Sequence, residues 1–256
     1  MRVFLYNPQR SRNLFIKDQE APFKLSRSKI DDFLKCPRCF YLDRRCGTGR
    51  PPSFPFTLNN AVDALLKNEF DKFRLEGRSH PLCLENGVDA IPFAHPDLED
   101  WRMNQRGIQY LHEPTQFIIT GAIDDVWINP EGELIIVDYK ATSSKEEITL
   151  DKEYRQSYKR QMEIYQWLFA KNGFRVSKTG YFVYCNADAN RDNFSSKLEF
   201  AISVLPYEGD SSWIEETLMK VKECLIADKI PEHSSSCDYC LYWQAIKEHV
   251  TTENQI

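Results

Sequence analysis

The chain has 256 residues, 42% of them hydrophobic and 28% charged, which is typical of a folded globular protein and excludes wholesale disorder. Its formal net charge of −5 excludes global electrostatic attraction to nucleic acid, so DNA contact would need a local basic surface. No apolar run approaches the roughly 20 residues of a bilayer span. Residues 1–9 lack a signal-peptide pattern, so we expect no membrane contact and a cytoplasmic location.

The N-terminal third predicts two helices and a loop. Ser26 is a suitable cap for a helix that carries apolar Ile30, Phe33 and Leu34 at helical spacing. Residues 47–55 are rich in Gly and Pro and predict an irregular loop. A strong helix follows over residues 59–74, with the apolar stripe Val62, Leu65, Leu66, Phe70 and Phe73.

The rest of the chain alternates between predicted strands and helices. Residues 77–96 show no sustained period, whereas residues 117–137 predict a β-hairpin around the turn 130–133. A long amphipathic helix then covers residues 152–170. The later elements are strands at 180–185 and 197–205 and a helix at 213–226.

A carboxylate and lysine pattern lies on the predicted hairpin. Because side chains alternate along a strand, Asp138 and Lys140 share one face and Tyr139 points to the other. Asp124, near the end of the partner strand, can lie beside them. Two carboxylates suit Mg²⁺ or Mn²⁺, and a lysine can orient or deprotonate water or stabilise developing charge. The alternative is exposed strand-end charge, but the apolar run before Asp138 favours a buried strand.

Three motifs in order resemble those of the PD-(D/E)XK nuclease superfamily. Residues 121–124 are similar to its GxxD motif, residues 138–140 to DxK, and residues 161–165 to QxxxY. The resemblance is to the RecB-like branch of helicase-associated and CRISPR-adaptation exonucleases. It implies an α/β, restriction-endonuclease-like core, with a mixed central sheet flanked by helices and a cysteine–metal centre joining the terminal segments. We expect one nuclease domain over residues 1–256.

The resemblance also implies roles for individual residues. Asp124 and Asp138 would be metal ligands, the carbonyl of Tyr139 a further ligand, and Lys140 the catalytic lysine. Gln161 and Tyr165, four residues apart on one helical face, would lie beside the site. For Tyr165 the alternative is core packing.

One position departs from the branch pattern. Many relatives carry a metal-binding histidine on the preceding helix, whereas this chain has Asp63 at the matching position. A carboxylate there suits a hard cation. Glu69 falls within the apolar stripe and is a competing candidate, and either acid can instead form a salt bridge.

Two cysteine pairs have the spacing of metal-chelating motifs. Cys36-x-x-Cys39 and Cys237-x-x-Cys240 together offer four thiolates, with residues 26–46 and 231–245 contributing the centre. The resemblance implies a [4Fe–4S] cluster, but only two late cysteines are present, so zinc is the alternative and Cys46 a reserve ligand. Buried, unmetallated cysteines are a further alternative. The isolated cysteines, predicted to be structural, are Cys83, Cys185 and Cys224.

Two basic segments are candidates for DNA contact. The first is the helix with Lys152, Arg155, Lys159 and Arg160, interleaved with Tyr154 and Tyr158. The second comprises Arg38, Arg44 and Arg45 near the cysteines. Either set can instead be a solvated face.

The expected function is that of a Mg²⁺- or Mn²⁺-dependent deoxyribonuclease in repair, recombination or defence. An exonuclease is the preferred form, with an endonuclease as the alternative. Its substrate would be DNA that is single-stranded or has a free end, and a helicase or other repair or defence protein would be a partner. One alternative is a catalytically inactive DNA-binding module of a helicase–nuclease assembly. A third hypothesis is a zinc-held scaffold unrelated to nucleic acid.

Overall fold

A computed structural model describes residues 9–51 and 57–253 of the chain. Residues 1–8, part of the predicted loop at 47–55, and the side chain of Tyr154 lie outside this description. The α-helices described are α1 (Arg27–Lys35), α2 (Pro37–Arg44), α3 (Thr57–Glu76), α4 (Pro81–Glu85), α5 (Leu98–Arg102), α6 (Gln156–Lys171), α7 (Ile214–Ile226) and α8 (Asp238–Glu253). The strands are β1 (Phe23–Ser26), β2 (Ile91–Pro92), β3 (Ile108–His112), β4 (Phe117–Gly121), β5 (Asp125–Ile128), β6 (Leu134–Thr142), β7 (Thr179–Ala187) and β8 (Phe200–Glu208).

The described strands form two sheets, one of order β2-β5-β6-β7-β8 and one of order β1-β4-β3. In the larger sheet β6 and β7 are parallel, and the other neighbouring strands are antiparallel. The parallel pair lies in the sheet interior, where hydrogen bonds on both edges are satisfied. This mixed sheet, with helices packed on it, confirms the predicted fold class.

The chain divides into two compact units. One unit comprises residues 55–110 and 120–212 and contains the five-stranded sheet, α3 and α6. The other comprises residues 1–54, 111–119 and 213–256 and contains α1, α2, α7 and α8. The expectation of a single domain over residues 1–256 stays a prediction.

The two faces of β6 are covered by different helices. Ile135, Val137 and Tyr139 join Phe70 of α3 in one buried cluster. Phe70 stacks on Trp127 with ring centroids 5.3 Å apart and planes 14° apart. The intervening residues of β6 face α6, as strand alternation requires. Charged side chains on that second face therefore lie beneath a helix.

Most sequence-based boundaries are close to the observed ones, with two corrections. The hairpin is formed by β5 and β6, whereas residues 117–121 form β4 in the smaller sheet, because the chain bends between Gly121 and Asp125. Leu65, predicted to be buried, has 67% of its surface exposed, so the buried stripe of α3 is narrower than expected. None of the helices in the described ranges combines the length and apolar character of a membrane span.

Candidate active site and cysteine cluster

Asp138 and Lys140 form an ion pair on the α6-facing side of β6. Asp138 is completely buried, and the Lys140 side chain is 17% exposed. Gln161 Nε2 donates a hydrogen bond to Asp138 Oδ1 at 2.8 Å and lies 3.1 Å from the hydroxyl oxygen of Tyr165. The structure thus brings the DxK and QxxxY residues together, as the resemblance implies.

Asp124 lies at the bend immediately before β5, against the backbone of β6. Its Oδ2 accepts a hydrogen bond from the Tyr139 amide at 2.8 Å. Its Oδ1 is 3.5 Å from the ammonium group of Lys67 on α3. That ammonium group is also 2.8 Å from Asp63 Oδ2. Lys67 was missed by sequence reasoning, although its position four residues after Asp63 was a usable signal.

The charges of this site are unevenly balanced. Three carboxylates, those of Asp63, Asp124 and Asp138, face the two ammonium groups of Lys67 and Lys140. Burial, and then the charge of Asp124, raise the pKa of Asp63. Burial acts to lower the pKa of Lys140, but the carboxylates of Asp138 and Asp124 outweigh it and hold that pKa above its ordinary value. Lys140 is therefore a cation at neutral pH.

The two helix acids have different surroundings. Glu69 Oε1 is 3.0 Å from His80 Nε2, and the Glu69 side chain is 56% exposed. Asp63 instead lies beside Asp124, and its buried Oδ1 has no hydrogen-bond partner among the described residues. A buried carboxylate oxygen without a donor fits a cation ligand. The geometry therefore favours Asp63 over Glu69 for that role.

The carboxylates of the candidate active site do not converge on a preformed metal site. Among the described residues, three or more potential metal-ligand atoms converge at the four cysteines, and none of these acids belongs to such a group. Lysine ammonium groups are bonded to the carboxylates instead. Because the site has more carboxylates than ammonium groups, a divalent cation would offset its remaining negative charge. The carboxylate oxygens are donors that suit Mg²⁺ or Mn²⁺.

A buried anchor fixes the residues that flank the site. Asp125 is fully buried and accepts hydrogen bonds from the hydroxyl of Tyr139 at 2.7 Å, from Arg102 at 3.0 Å and from Arg74. Arg102 also donates to the carbonyl of Asp124 at 3.2 Å. Asp125 and Tyr139, which follow Asp124 and Asp138 in sequence, are thus bonded to each other on the face of the sheet opposite Asp138.

Gly121 of the GxxD motif is explained by packing. A Cβ atom there would lie 2.6 Å from Tyr165 Cε1, closer than real side-chain contacts. The Tyr165 side chain therefore packs beside Gly121 and also lies next to Gln161, and its role in the site stays a prediction.

The predicted basic surfaces are only partly exposed. Arg155 is buried and donates to the carbonyl of Thr149, and Arg44 is buried and bonded to Asp43. The expectation that these two arginines face DNA is wrong, because both side chains are buried. Lys159 keeps 20% of its side chain exposed.

The four cysteines of the two CxxC pairs form a compact cluster. All four sulfur atoms lie within 4.8 Å of one another, with Cys39 Sγ 3.5 Å from Cys240 Sγ and 3.6 Å from Cys237 Sγ. Each pair lies at the start of a helix, α2 or α8, where the helix dipole favours thiolates. Burial acts to raise the pKa of Cys36, but backbone N–H donors of Cys39 and Ser234 bring it down to about 6.

The remaining cysteines do not join this cluster. Cys46 is exposed and is not part of the convergent ligand set, so a reserve role for it has no geometric support. Burial raises the pKa of Cys83 to about 12 and that of Cys185 to about 11. These thiols therefore stay protonated at neutral pH, as expected for structural cysteines.

Comparison with known proteins identifies the family. A profile of the PD-(D/E)XK nuclease superfamily matches residues 57–245, and the chain therefore belongs to this superfamily. The match includes α3, Asp124, the DxK strand and α6. No curated protein matches the sequence. A solved structure titled "Crystal structure of SSO0001" is 15% identical, with a TM-score of 0.34, and covers 89% of this chain and 86% of that one.

The buried anchor leads to a stability prediction. Replacing Asp125 by Asn removes the buried carboxylate that Arg74 and Arg102 share and leaves these guanidinium groups only the more exposed carboxylates of Asp71 and Glu99. We expect the free energy of unfolding to fall by about 3–5 kcal/mol, measured by urea denaturation. Asp192→Asn, in an exposed loop, is the matched control and should change it by less than about 0.5 kcal/mol. Equal changes in both variants would contradict the anchor.

Proposed function

We propose that this protein is a Mg²⁺- or Mn²⁺-dependent deoxyribonuclease of the RecB-like branch, acting as an exonuclease on DNA with an accessible end. The observation that carries the proposal is the buried Asp138, paired with Lys140 and hydrogen-bonded by Gln161, next to Asp124. These residues stand in the motif order of a superfamily to which the chain belongs. The assignment to the branch rests on the QxxxY helix and the terminal cysteine pairs.

The proposed cation ligands are the carboxylates of Asp63, Asp124 and Asp138 and the carbonyl of Tyr139. Support comes from the partnerless Oδ1 of Asp63 and from the excess of carboxylates over ammonium groups. A divalent cation bound there supplies neutralisation of the scissile phosphate and a more acidic water.

The roles proposed for the other residues follow from their charges and contacts. Lys140 is protonated at neutral pH, so it stabilises negative charge on the phosphorane oxygens and does not act as the base. Gln161 holds the Asp138 carboxylate in place, and Tyr165 packs beside Gln161. Lys67 offers a second ammonium group near Asp124 for contact with a phosphate.

Cleavage of end-labelled single- and double-stranded DNA in Mg²⁺ or Mn²⁺ tests the proposal. Asp138→Asn should abolish cleavage, because it removes a ligand charge and the partner of Lys140. Lys140→Ala should lower kcat by about 10²–10³-fold, the usual effect of losing one charge-stabilising donor. Both variants should still bind DNA.

Two matched controls accompany that assay. Asp151→Asn and Lys145→Ala change exposed side chains of the same types and should cleave like the unmodified protein. Metal-independent binding of DNA without cleavage by the unmodified protein would favour the inactive binding module. The absence of any DNA binding at low salt would favour the scaffold hypothesis.

We infer that the cysteine cluster holds a single four-coordinate metal ion, for which zinc is the best candidate. Zn–S bonds of about 2.3 Å in a tetrahedron separate the sulfurs by about 3.8 Å. The sulfur distances of 3.5 Å, 3.6 Å and 3.9 Å are close to that value. A [4Fe–4S] cluster, expected from the resemblance, places its thiolates outside four irons and would need these sulfurs to move apart.

Metal analysis of anaerobically purified protein tests this assignment. We expect a colourless protein with one zinc ion per chain, and loss of that zinc in Cys237→Ser. Cys46→Ser, which changes an exposed cysteine outside the cluster, should keep it. Because thiols must deprotonate to bind metal, the affinity should fall as the pH falls. A brown protein containing iron and sulfide would overturn the single-ion assignment.

A further inference from the structure

A cavity of about 730 Å³ lies next to the cysteine cluster. Cys39 and Cys240 contribute to its lining, and one face of α8 forms a wall through Tyr239, Trp243 and Lys247. These three positions are separated by four residues each and therefore lie on the same side of the helix. The proposed nuclease site, built from α3, β6 and α6, includes none of these residues.

The cavity wall exposes three aromatic rings. Tyr239 is 46% exposed, Tyr242 71% and Trp243 56%. All five tryptophans of the chain lie in the described residues, and Trp243 is the exposed one. Large aromatic surfaces grouped around a cavity mark a binding site more often than scattered exposed residues do.

The charge of the lining is positive. Arg38, Arg50 and Lys247 line the cavity, and the described lining contains no carboxylate. Arg38 bonds to Glu232 at 3.0 Å and Arg50 to Asp32 at 3.3 Å. Glu232 is 94% exposed, and an ion pair with so exposed a partner contributes little free energy, so a phosphate can replace this carboxylate at Arg38 at modest cost. Three cationic side chains and no carboxylate line this cavity in a chain whose net charge is −5.

We propose that this cavity binds single-stranded DNA, with bases stacked on Trp243 and Tyr242 and phosphates at Arg38 and Lys247. The inference rests on the proposed nuclease function, which supplies DNA as the substrate class. Aromatic faces beside cations are the combination that binds single strands without sequence preference. The bases of an intact duplex are already stacked on one another, so the cavity selects unpaired nucleotides.

Binding of oligo(dT) to the full-length protein, without added Mg²⁺ or Mn²⁺, tests this proposal. Fluorescence anisotropy of labelled oligo(dT) gives the affinity, and quenching of tryptophan emission reports stacking on Trp243. Trp243→Ala should weaken binding about tenfold or more, because it removes one stacking platform. Trp243→Phe keeps an aromatic face and should bind close to the unmodified protein, but without the quenching.

The salt dependence tests the proposed phosphate contact. Lys247→Ala should reduce the slope of log K against log salt by about 0.7, the value for one phosphate contact with a single strand. Phe194→Ala and Lys220→Ala, exposed side chains of the same types elsewhere, are the matched controls and should change neither measurement. Metal content and urea unfolding of each variant show that the cysteine cluster is intact.

The outcomes separate this inference from the proposed function. Metal-dependent cleavage of DNA with oligo(dT) affinity unchanged in Trp243→Ala would overturn the cavity proposal and leave the nuclease proposal standing. Stacking and the expected affinity losses without any cleavage would support the cavity and contradict the nuclease. Self-association that depends on Trp243, with no effect on oligo(dT) binding, would mean that a second copy of the chain occupies the cavity, and would overturn the proposal.

Discussion

The arrangement of the candidate active site depends on the hydrogen bonds of Asp125, a carboxylate with no exposed surface. The hydroxyl of Tyr139 and the guanidinium groups of Arg74 and Arg102 bond to it. An unpaired charge at this depth would cost several kcal/mol, so the four side chains are held as a unit. Because Asp125 and Tyr139 are next in sequence to the proposed ligands, the unit positions both strands.

Because side chains alternate along β6, the residue that bonds to Asp125 and the residues proposed to act on the substrate point to opposite faces of the strand. Tyr139 points to α3, while Asp138 and Lys140 on either side of it point to α6. The anchor is satisfied by opposite charges, whereas the candidate active site, with Asp63, Asp124 and Asp138 against Lys67 and Lys140, keeps more carboxylates than ammonium groups. A buried surplus of negative charge is unfavourable for the protein alone, and it is the condition under which a divalent cation binds well.

Residue spacing predicted contacts that follow from a regular period. Asp138 with Lys140, and Gln161 with Tyr165, are separated by two strand positions and by one helical turn. The contact of Lys67 with Asp124 and the Asp125 anchor were not predicted, because they depend on α3 and α5 meeting β5 and β6, and such contacts between distant segments leave no period. The assignment of Phe117 to the hairpin was wrong for a related reason. A short apolar strand does not reveal which sheet it joins.

Each CxxC pair alone is a weak indication of a metal site, whereas the two pairs together in one cluster are a specific one. Cys39 and Cys237 are 198 positions apart, so their contact closes a very long loop, and forming it costs chain entropy. Both pairs lie at the start of a helix, and at Cys36 the backbone N–H groups of Cys39 and Ser234 lower the pKa and favour the thiolate form that metals bind. Four adjacent thiolates repel one another, and a cation removes that repulsion. A metal ion bound by these cysteines would therefore add to the stability of the terminal segments, including α8 and the aromatic cavity wall that it carries.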